Sequence, residues 1–419
     1  MHEFPLPSEK KEVISKPEAV DFDIEGESFR LKKYAIGDTP EGGIISPGLM
    51  ETGALADVRR LYEKNRDQER IPGRFLYAFL DQKNGKTIGD YSLPAGQDEF
   101  NETDLKLTND PFAPPQWAEE LWEYAALKRK KVFTLDSTLA CIRGLALRDG
   151  KPVFTLGAGQ YSQSFFSNGA EGTTLGVSVT EMEKLSKVLT GQEYERLAVL
   201  SSKLVSQYGQ GKPLREVVLH RRGHLPEFNE HVFNNNIGVV AMVLTSDQQF
   251  VYATRGANVS IFQGVDATAS GAAEFDEKTL SRYGLQHFLG NEMQREIREE
   301  VGFKSGSLLL GAMKKRLQLE LGMETDEYEL VPIAFMRELI RGGKPECMFL
   351  ARYKGSVEDV VRSIRENKYA DKKEIEGFVY AQSADEAVRM SEKEGADGII
   401  QHRAAAHLSR IGAYLRNNN

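Results

Sequence analysis

The stretch that decides the fold is Arg-Glu-Ile-Arg-Glu-Glu-Val-Gly-Phe, residues 295–303, which continues an apolar-periodic segment and ends beside a glycine. In a helix, Glu296, Glu299 and Glu300 fall within an arc of roughly 100°. An apolar residue recurs at every fourth position beside them, so the helix has a face that can dock on a sheet. These residues are Leu289, Met293, Ile297 and Val301. Because three close carboxylates repel one another unless a cation neutralises them, the pattern predicts a divalent-metal site.

An ordinary charged helix surface is the alternative interpretation of these residues. Arg295 and Glu299 have the spacing of an i,i+4 pair of opposite charge, which is common on solvated helices. The segment 295–303 nevertheless matches all seven specified positions of a known pattern, Arg-Glu-apolar-any-Glu-Glu-any-Gly-apolar. This pattern is the second half of the Nudix box, and the chain therefore resembles the Nudix hydrolases in this segment.

The first half of the box departs from the family pattern of Gly, five residues, then Glu. At the usual spacing, Ser281 and His287 stand where the Gly and the Glu belong. Further upstream, Gly271 and Glu277 have the required separation, but 17 residues instead of seven then precede the arginine of the second half. We interpret this as an insertion, from residue 278 to about residue 287, that lengthens the loop before the metal-binding helix. Gly271 suits a tight loop with unusual backbone angles.

The sequence around the box predicts the sheet of such a domain. Two apolar segments, 237–244 and 250–255, flank a polar turn and predict a hairpin. A second strand pair is predicted at 329–337 and 347–353. The resemblance implies a Nudix-type α/β/α sandwich with a mixed sheet over residues 211–419. Helices are predicted at 356–367, 383–393 and 402–416.

The resemblance also implies a metal-dependent hydrolase that acts on a diphosphate linkage. Mg²⁺ or Mn²⁺ would be held by Glu296 and Glu300, with Glu299 as a ligand or a support. Arg295 would orient the carboxylates through charge-assisted hydrogen bonds. Glu346, at the start of a later strand, is the first candidate for the general base, and Glu299 is the second.

The substrate is expected to be a small nucleotide-type molecule, a nucleoside diphosphate linked to a sugar or similar group. Gly271, Glu277 and Arg221 are the candidate substrate-binding residues, and guanidinium groups such as that of Arg221 match phosphate oxygens. The sequence does not identify the substrate, because the markers of the ADP-ribose and NADH hydrolases are absent.

Other functions remain open alternatives. A Nudix-fold protein that binds a nucleotide metabolite without hydrolysing it would tolerate the broken first half of the box. An isomerase acting on a diphosphate would need a catalytic cysteine beside an acid, for which Cys347 next to Glu346 is the candidate pair. A histidine metal cluster could be formed by His220, His224 and His231, although their spacing fits a strand-to-loop passage better. Residues 157–159, Gly-Ala-Gly, are a weak phosphate-loop candidate and are more typical of a turn.

Composition limits the class of protein. The 419 residues are 40% hydrophobic and 28% charged, as in globular proteins. Since no apolar run approaches about 18 residues, we expect no membrane span. Only Cys141 and Cys347 occur, so a reducing, cytoplasmic compartment is expected. The net charge of −8 argues against nucleic-acid binding, and a homodimer is left open as the assembly.

The first half of the chain, residues 1–210, predicts an α+β domain of unknown role, which makes the whole chain an α/β (α+β) protein. The first 20 or so residues resemble a mobile arm, and residues 209–213, Gly-Gln-Gly-Lys-Pro, predict the domain boundary. Strands or hairpins are predicted at 22–36, 74–93 and 132–155, and helices at 51–70, 117–131 and 180–208.

Overall fold

The computed structural model describes the chain in segments. These are residues 18–24, 27–35, 79–81, 86–88, 104–130, 136–148, 151–170, 173–222, 226–255, 266–267, 269–303, 306–308, 327–338, 342–366 and 375–381. Within them the chain has mixed α and β content with mixed sheets, an α+β arrangement. Residues 1–17 of the expected arm lie outside the described residues. The helices expected at 51–70, 383–393 and 402–416 lie outside them as well.

The first half contributes seven strands and four helices to the described chain. The strands are β1 (Glu18–Ile24), β2 (Glu27–Ala35), β3 (Phe79–Asp81), β4 (Lys86–Ile88), β5 (Asp104–Leu107), β6 (Thr138–Arg148) and β7 (Lys151–Gln160). The helices are α1 (Gln116–Arg129), α2 (Tyr161–Phe166), α3 (Val179–Leu185) and α4 (Gly191–Tyr208).

The second half contributes the remaining elements, including a 3-10 turn at Phe228–Glu230. The helices are α5 (Leu214–Arg222), α6 (Glu277–Glu300) and α7 (Val357–Glu366). The strands are β8 (Gly238–Leu244), β9 (Phe250–Arg255), β10 (Asp266–Ala267), β11 (Ala269–Ala272), β12 (Gly306–Leu308), β13 (Tyr328–Glu338), β14 (Lys344–Tyr353) and β15 (Ile375–Ala381).

The main sheet has the strand order β1-β2-β15-β9-β8-β14-β13-β12, and β10 and β11 pair with β9 and β8. The pairs β8–β14 and β12–β13 are parallel and the others are antiparallel, so the sheet is mixed. Both predicted strand pairs of the second half are confirmed, as β8–β9 and β13–β14. The first-half strand predicted at 22–36 is instead the hairpin of β1 and β2.

A smaller sheet, β5-β7-β6, continues the main sheet at the start of β8 and the end of β11. The N–H of Ala140 donates to the carbonyl of Ala273 over 2.9 Å, and the N–H of Ile237 donates to the carbonyl of Ala140 over 2.9 Å. Ala140 and Ile142 share one hydrophobic core with the second-half strands. The boundary proposed at residues 210 and 211 stays a prediction, and these hydrogen bonds and apolar contacts cross it.

The first core lies between the main sheet and the helices α6 and α7. The apolar stripe predicted from the sequence, Leu289 to Val301, is buried in it. Because strand side chains alternate between faces, every second residue of β8 and β14 meets these helices. These residues are Val239, Ala241, Val243, Cys347, Phe349 and Ala351.

A second core consists of the helices α1, α4 and α5 and the loop before β8. The Trp122 indole N–H donates to the carbonyl of Val232 over 2.7 Å, so the loop is fixed to α1. The single helix predicted at 180–208 is two helices, α3 and α4. A second helix begins because Thr190 accepts from the N–H of Glu193, whose carboxylate accepts from the N–H of Thr190 in return, forming a capping box.

Helix α6 differs from the expectation of an inserted loop. Asp276 caps its start by accepting from the N–H groups of Lys278 and Thr279, and residues 277–283 are helical. Gly284 then interrupts the helix with φ 78° and ψ 177°. A glycine adopts this backbone conformation without the steric strain of a Cβ. Residues 277–283 therefore form a short helix, joined through a kink to the longer helix that runs to Glu300 and carries the predicted metal ligands.

Candidate active site

The glutamates of α6 lie against strand β11. The carboxylate of Glu296 occupies the space where a Cβ on Gly271 would stand, so only glycine permits this approach. The N–H of the adjacent Ser270 donates to Glu300 Oε2 over 2.8 Å. Two of the three predicted metal ligands and one of the predicted substrate-binding residues are thus brought together by a single helix–strand contact.

Arg295 connects the carboxylates of this cluster. Its Nη2 donates to Glu296 Oε1 over 2.7 Å, and its Nη1 donates to Glu299 Oε2 over 3.0 Å. Nη2 also donates to the carbonyl of Ala272 over 3.2 Å, and this bond ties the guanidinium to β11. Arg295 therefore holds two of the predicted ligands at a defined place beside the strand.

Glu292 belongs to the cluster, and the sequence analysis did not identify it. Its Oε2 accepts from Arg295 Nη2 over 3.1 Å and from the N–H of Glu274 over 2.8 Å. Burial raises the pKa of Glu292, although the Glu274 N–H and Arg295 oppose this shift. The i,i+3 spacing of Glu292 and Arg295 was the available signal. The spacing of the box points to Glu277 instead.

The cluster holds more negative than positive charge. Glu296 is 8% exposed, and burial raises its pKa to about 7, with Arg295 lowering it and Glu299 and Glu292 raising it. Burial also opposes the charge of Arg295, but the surrounding carboxylates outweigh burial and raise the pKa of the guanidinium. One guanidinium is thus shared by three carboxylates, those of Glu292, Glu296 and Glu299.

This donor set fits a divalent cation in its chemistry. Carboxylate oxygens are the ligands that Mg²⁺ and Mn²⁺ prefer, and a cation would favour the charged form of Glu296. The geometry is less complete, because no group of three or more His, Cys, Asp or Glu in the described segments is arranged to hold a metal ion. The carboxylates point to Arg295 and β11 rather than to a common centre.

The structure separates Glu346 from this cluster. Gly271 pairs with Val239, whereas Gly238 pairs with Glu346. Successive residues of a strand face opposite sides, so Glu346 lies on the face of the sheet away from α6. It is 2% exposed, forms an ion pair with Lys344, and fills the place of a Cβ on Gly238.

The remaining predicted residues lie elsewhere. Glu277 is exposed at the start of α6. Arg221 lies on α5 in the helical layer, with its guanidinium carbon 5.7 Å from the centre of the Trp117 ring. His220, on the same helix, packs edge-on against Tyr208, and His224 is outside the described residues.

Burial of Cys347 raises the pKa of its thiol, and Glu346 raises it further. This shift disfavours the reactive thiolate that an isomerase would use.

No helix among the described residues combines the length and the apolar character needed to cross a membrane.

Several solved structures resemble part of the chain. A protein of Deinococcus radiodurans, DR0079, is 16% identical with a TM-score of 0.26, over 42% of this chain and 82% of its own. A NUDIX-family hydrolase from Clostridium perfringens is 12% identical with a TM-score of 0.25, over 42% of this chain and 99% of its own. A MutT protein from Methanosarcina mazei is 16% identical with a TM-score of 0.23, over 44% of this chain and 95% of its own.

No protein-family model and no curated protein matches the chain. TM-scores this low do not establish a shared fold, so the site has to be interpreted from its own geometry.

Proposed function

We propose that the protein is a Nudix-type hydrolase that cleaves a diphosphate linkage with the help of Mg²⁺ or Mn²⁺. The observation that carries this proposal is the contact of α6 with β11, where Glu296 lies against Gly271 and Glu300 accepts from the N–H of Ser270. Residues 211–419 would form the Nudix-type α/β/α sandwich, acting in the cytoplasm on a nucleoside diphosphate linked to a sugar or similar group.

Glu296 and Glu300 would hold the cation, with Glu299 as a third ligand or a support. A bound divalent cation supplies charge neutralisation for the diphosphate and lowers the pKa of its water. Arg295 orients Glu296 and Glu299, while Glu292 and the carbonyl of Ala272 fix the guanidinium in turn. These contacts keep the carboxylates in place before a substrate arrives.

We assign the general base to Glu299 rather than to Glu346. The side chain of Glu299 is 47% exposed, on the same helix as the predicted ligands, so a water and a substrate can reach it. Glu346 is buried in an ion pair with Lys344 on the opposite face of the sheet, which supports a structural role.

Replacing Glu300 by Gln tests the proposal. The amide keeps the shape and the hydrogen bond from Ser270 but removes the negative charge, so we expect metal-dependent hydrolysis to fall by about 100-fold or more. The assay is a panel of nucleoside diphosphate compounds with Mg²⁺ or Mn²⁺, scored for released products. Glu358→Gln, an exposed position on α7, is the matched control. Wild-type turnover in Glu300→Gln would contradict the assignment.

A binding or regulatory protein without hydrolytic activity is the second candidate. It is favoured by one observation, the absence of a converging metal-holding group among the described residues. The same panel distinguishes the two functions. Tight binding of one compound, with no product released under any metal condition, would establish the binding protein instead of the hydrolase.

A further inference from the structure

The buried guanidinium of Arg143 has no anionic partner among the described residues. Arg143 is 3% exposed. Its Nη1 donates to the carbonyl and to Oδ1 of Asn234, over 3.2 and 2.9 Å, and its Nη2 donates to the carbonyl of Ala158 over 2.7 Å. All three acceptors are uncharged, and the Nε–H has no acceptor. A buried charge is costly unless an opposite charge compensates it.

The conformation of β6 presents Arg143 in a specific direction. The pairing of β6 with β7 shifts between Ile142 and Gly144, so Arg143 is the extra residue of a β-bulge. Bulges redirect a side chain and are frequent beside functional sites. The Arg143 Cγ lies over Gly157, where an added Cβ would be 3.2 Å away. The segment 157–159 lies within strand β7 and not in the turn expected from its sequence, and Gly157 leaves room for this side chain.

Asn236 supplies a second unsatisfied group on the same face of the sheet. It pairs across the strands with Cys141, two residues before Arg143. It is 3% exposed, and its Oδ1 accepts no hydrogen bond. Extending the β8–β14 register by two residues from Gly238 and Glu346 places Lys344 beside Asn236. Asn236 thus lies beside Lys344 and two residues along the chain from Asn234, which accepts from Arg143.

Arg143 brings a positive charge to this face that no ion pair among the described residues neutralises. Lys344 and Glu346 form an ion pair with each other, whereas Arg143 has the neutral acceptors described above and the Phe112 ring, whose centre lies 5.3 Å from the guanidinium carbon. Burial and Arg143 lower the pKa of the nearby His231, and the exposed Asp110 raises it. The low dielectric of a buried site would strengthen a hydrogen bond to an anion.

We propose that Arg143 and Asn236 form a binding site for a phosphate group, on the face of the sheet opposite the α6 glutamates. The Arg143 Nε–H donates to a phosphate oxygen, and Asn236 Oδ1 accepts from a P–OH or from a neighbouring hydroxyl of the ligand. The phosphate is either free orthophosphate or a group carried by a larger molecule that binds this face of the sheet and is not the substrate of the α6 site.

Thermal unfolding of the full-length chain with inorganic phosphate tests this site. Divalent ions are removed with a chelator so that the α6 glutamates do not contribute, and chloride at equal ionic strength is the reference. We expect the wild-type Tm to rise with phosphate concentration, because a ligand that binds only the folded state stabilises it.

Asn236→Asp is the decisive variant because it adds a negative charge to the proposed site, on the same face of the sheet as Arg143. We expect its Tm to exceed that of the wild type without phosphate and to lose the response to phosphate. Asn291→Asp, an exposed position on α6, is the matched control and keeps the wild-type response. A wild-type Tm that does not respond to phosphate, or an equal response of both variants, would overturn the site.

The source of the phosphate group is distinguished by comparing orthophosphate with a nucleoside diphosphate in the same metal-free unfolding experiment. If the site takes a phosphate carried by a larger molecule, the nucleoside diphosphate raises the wild-type Tm more than orthophosphate does at equal concentration. If it takes free orthophosphate, the order is reversed. Either pattern supports the site when Asn236→Asp abolishes it, and because the experiment contains no divalent metal, its failure is independent of the hydrolase proposal.

Discussion

Glu296 and Glu346 are two buried carboxylates whose negative charges are compensated in different ways. Each lies against a glycine of a neighbouring strand, Gly271 for Glu296 and Gly238 for Glu346. Glu346 has a cation of its own in Lys344, whereas Glu296 shares Arg295 with two other glutamates. The ion pair of Glu346 and Lys344 balances its own charges, which supports a structural role. The cluster around Glu296 has excess negative charge, which favours the binding of an additional cation.

The largest expected effect comes from removing the two cations. Arg295→Met removes the guanidinium from three carboxylates and Lys344→Met removes the ammonium group from one, and losing one member of a buried pair costs about 3–5 kcal/mol. We expect both variants to lose free energy of unfolding in urea, with Arg295→Met losing more. Added Mn²⁺ should restore stability only to Arg295→Met, because the proposed metal ligands are in its cluster. An equal gain of stability with Mn²⁺ in both variants would show that the two sites do not differ in metal binding.

Substituting either of the two glycines should reduce the free energy of unfolding almost as much. Gly271→Ala and Gly238→Ala each place a Cβ into a carboxylate, and such overpacking costs about 1–3 kcal/mol. Only Gly271→Ala should also weaken Mn²⁺ binding, measured by calorimetry. Gly191→Ala is the control, since an added Cβ there meets nothing within 4 Å. If Gly271→Ala and Gly238→Ala both bind Mn²⁺ like the wild type, the α6–β11 contact is not the metal site.

A smaller effect is expected for the residue that fixes Arg295. Glu292→Gln keeps the hydrogen bond from Glu274 but removes a charge beside the guanidinium, and outer-shell changes of this kind cost about 10- to 100-fold in activity or metal affinity. The measurement is metal-dependent kcat and Mn²⁺ affinity, with Glu358→Gln as the control. Unchanged values in Glu292→Gln would show that Arg295 needs only Ala272 and the two remaining glutamates.

The smallest effect is a pH dependence. The pKa of Glu296 is raised to about 7, mainly by burial, from the ordinary glutamate value of 4.5. The folded state therefore binds more protons than the unfolded state between these values, and stability without metal falls as the pH rises from 4.5 to 7. Mn²⁺ should bind more weakly below pH 7 because it competes with the proton. Urea unfolding across this range checks the prediction, and Glu296→Gln should have a flatter profile.

Local patterns predicted the elements whose contacts are close in sequence. The hairpin of β8 and β9 followed from two apolar runs around a polar turn, and the buried stripe of α6 followed from its fourfold spacing. The insertion expected at residues 278 to about 287 stays a prediction, but the helical conformation of residues 277–283 was not foreseen. Asp276 and Gly284 produce that conformation as a helix cap and a kink, although each residue is also compatible with a loop.

Sequence spacing likewise predicts only part of the candidate site. The spacing of the box predicts Glu277, whereas the additional glutamate that contacts Arg295 is Glu292. Glu346 was selected for its position along the chain, but the alternation of β14 directs it away from α6. Spacing in the sequence does not specify which face of a sheet a distant strand presents, because one residue of register reverses that choice.

The sequence by itself determined the chemistry of the α6 surface, since helical geometry alone gathers Glu296, Glu299 and Glu300 on one side of a helix. Only the tertiary structure decided what that surface meets: Gly271, the backbone of β11 and a single shared guanidinium. It also brought Arg143 of the first half next to Asn234 of the second. Contacts between strands far apart in the chain depend on register, twist and burial, and these are properties of the assembled sheet.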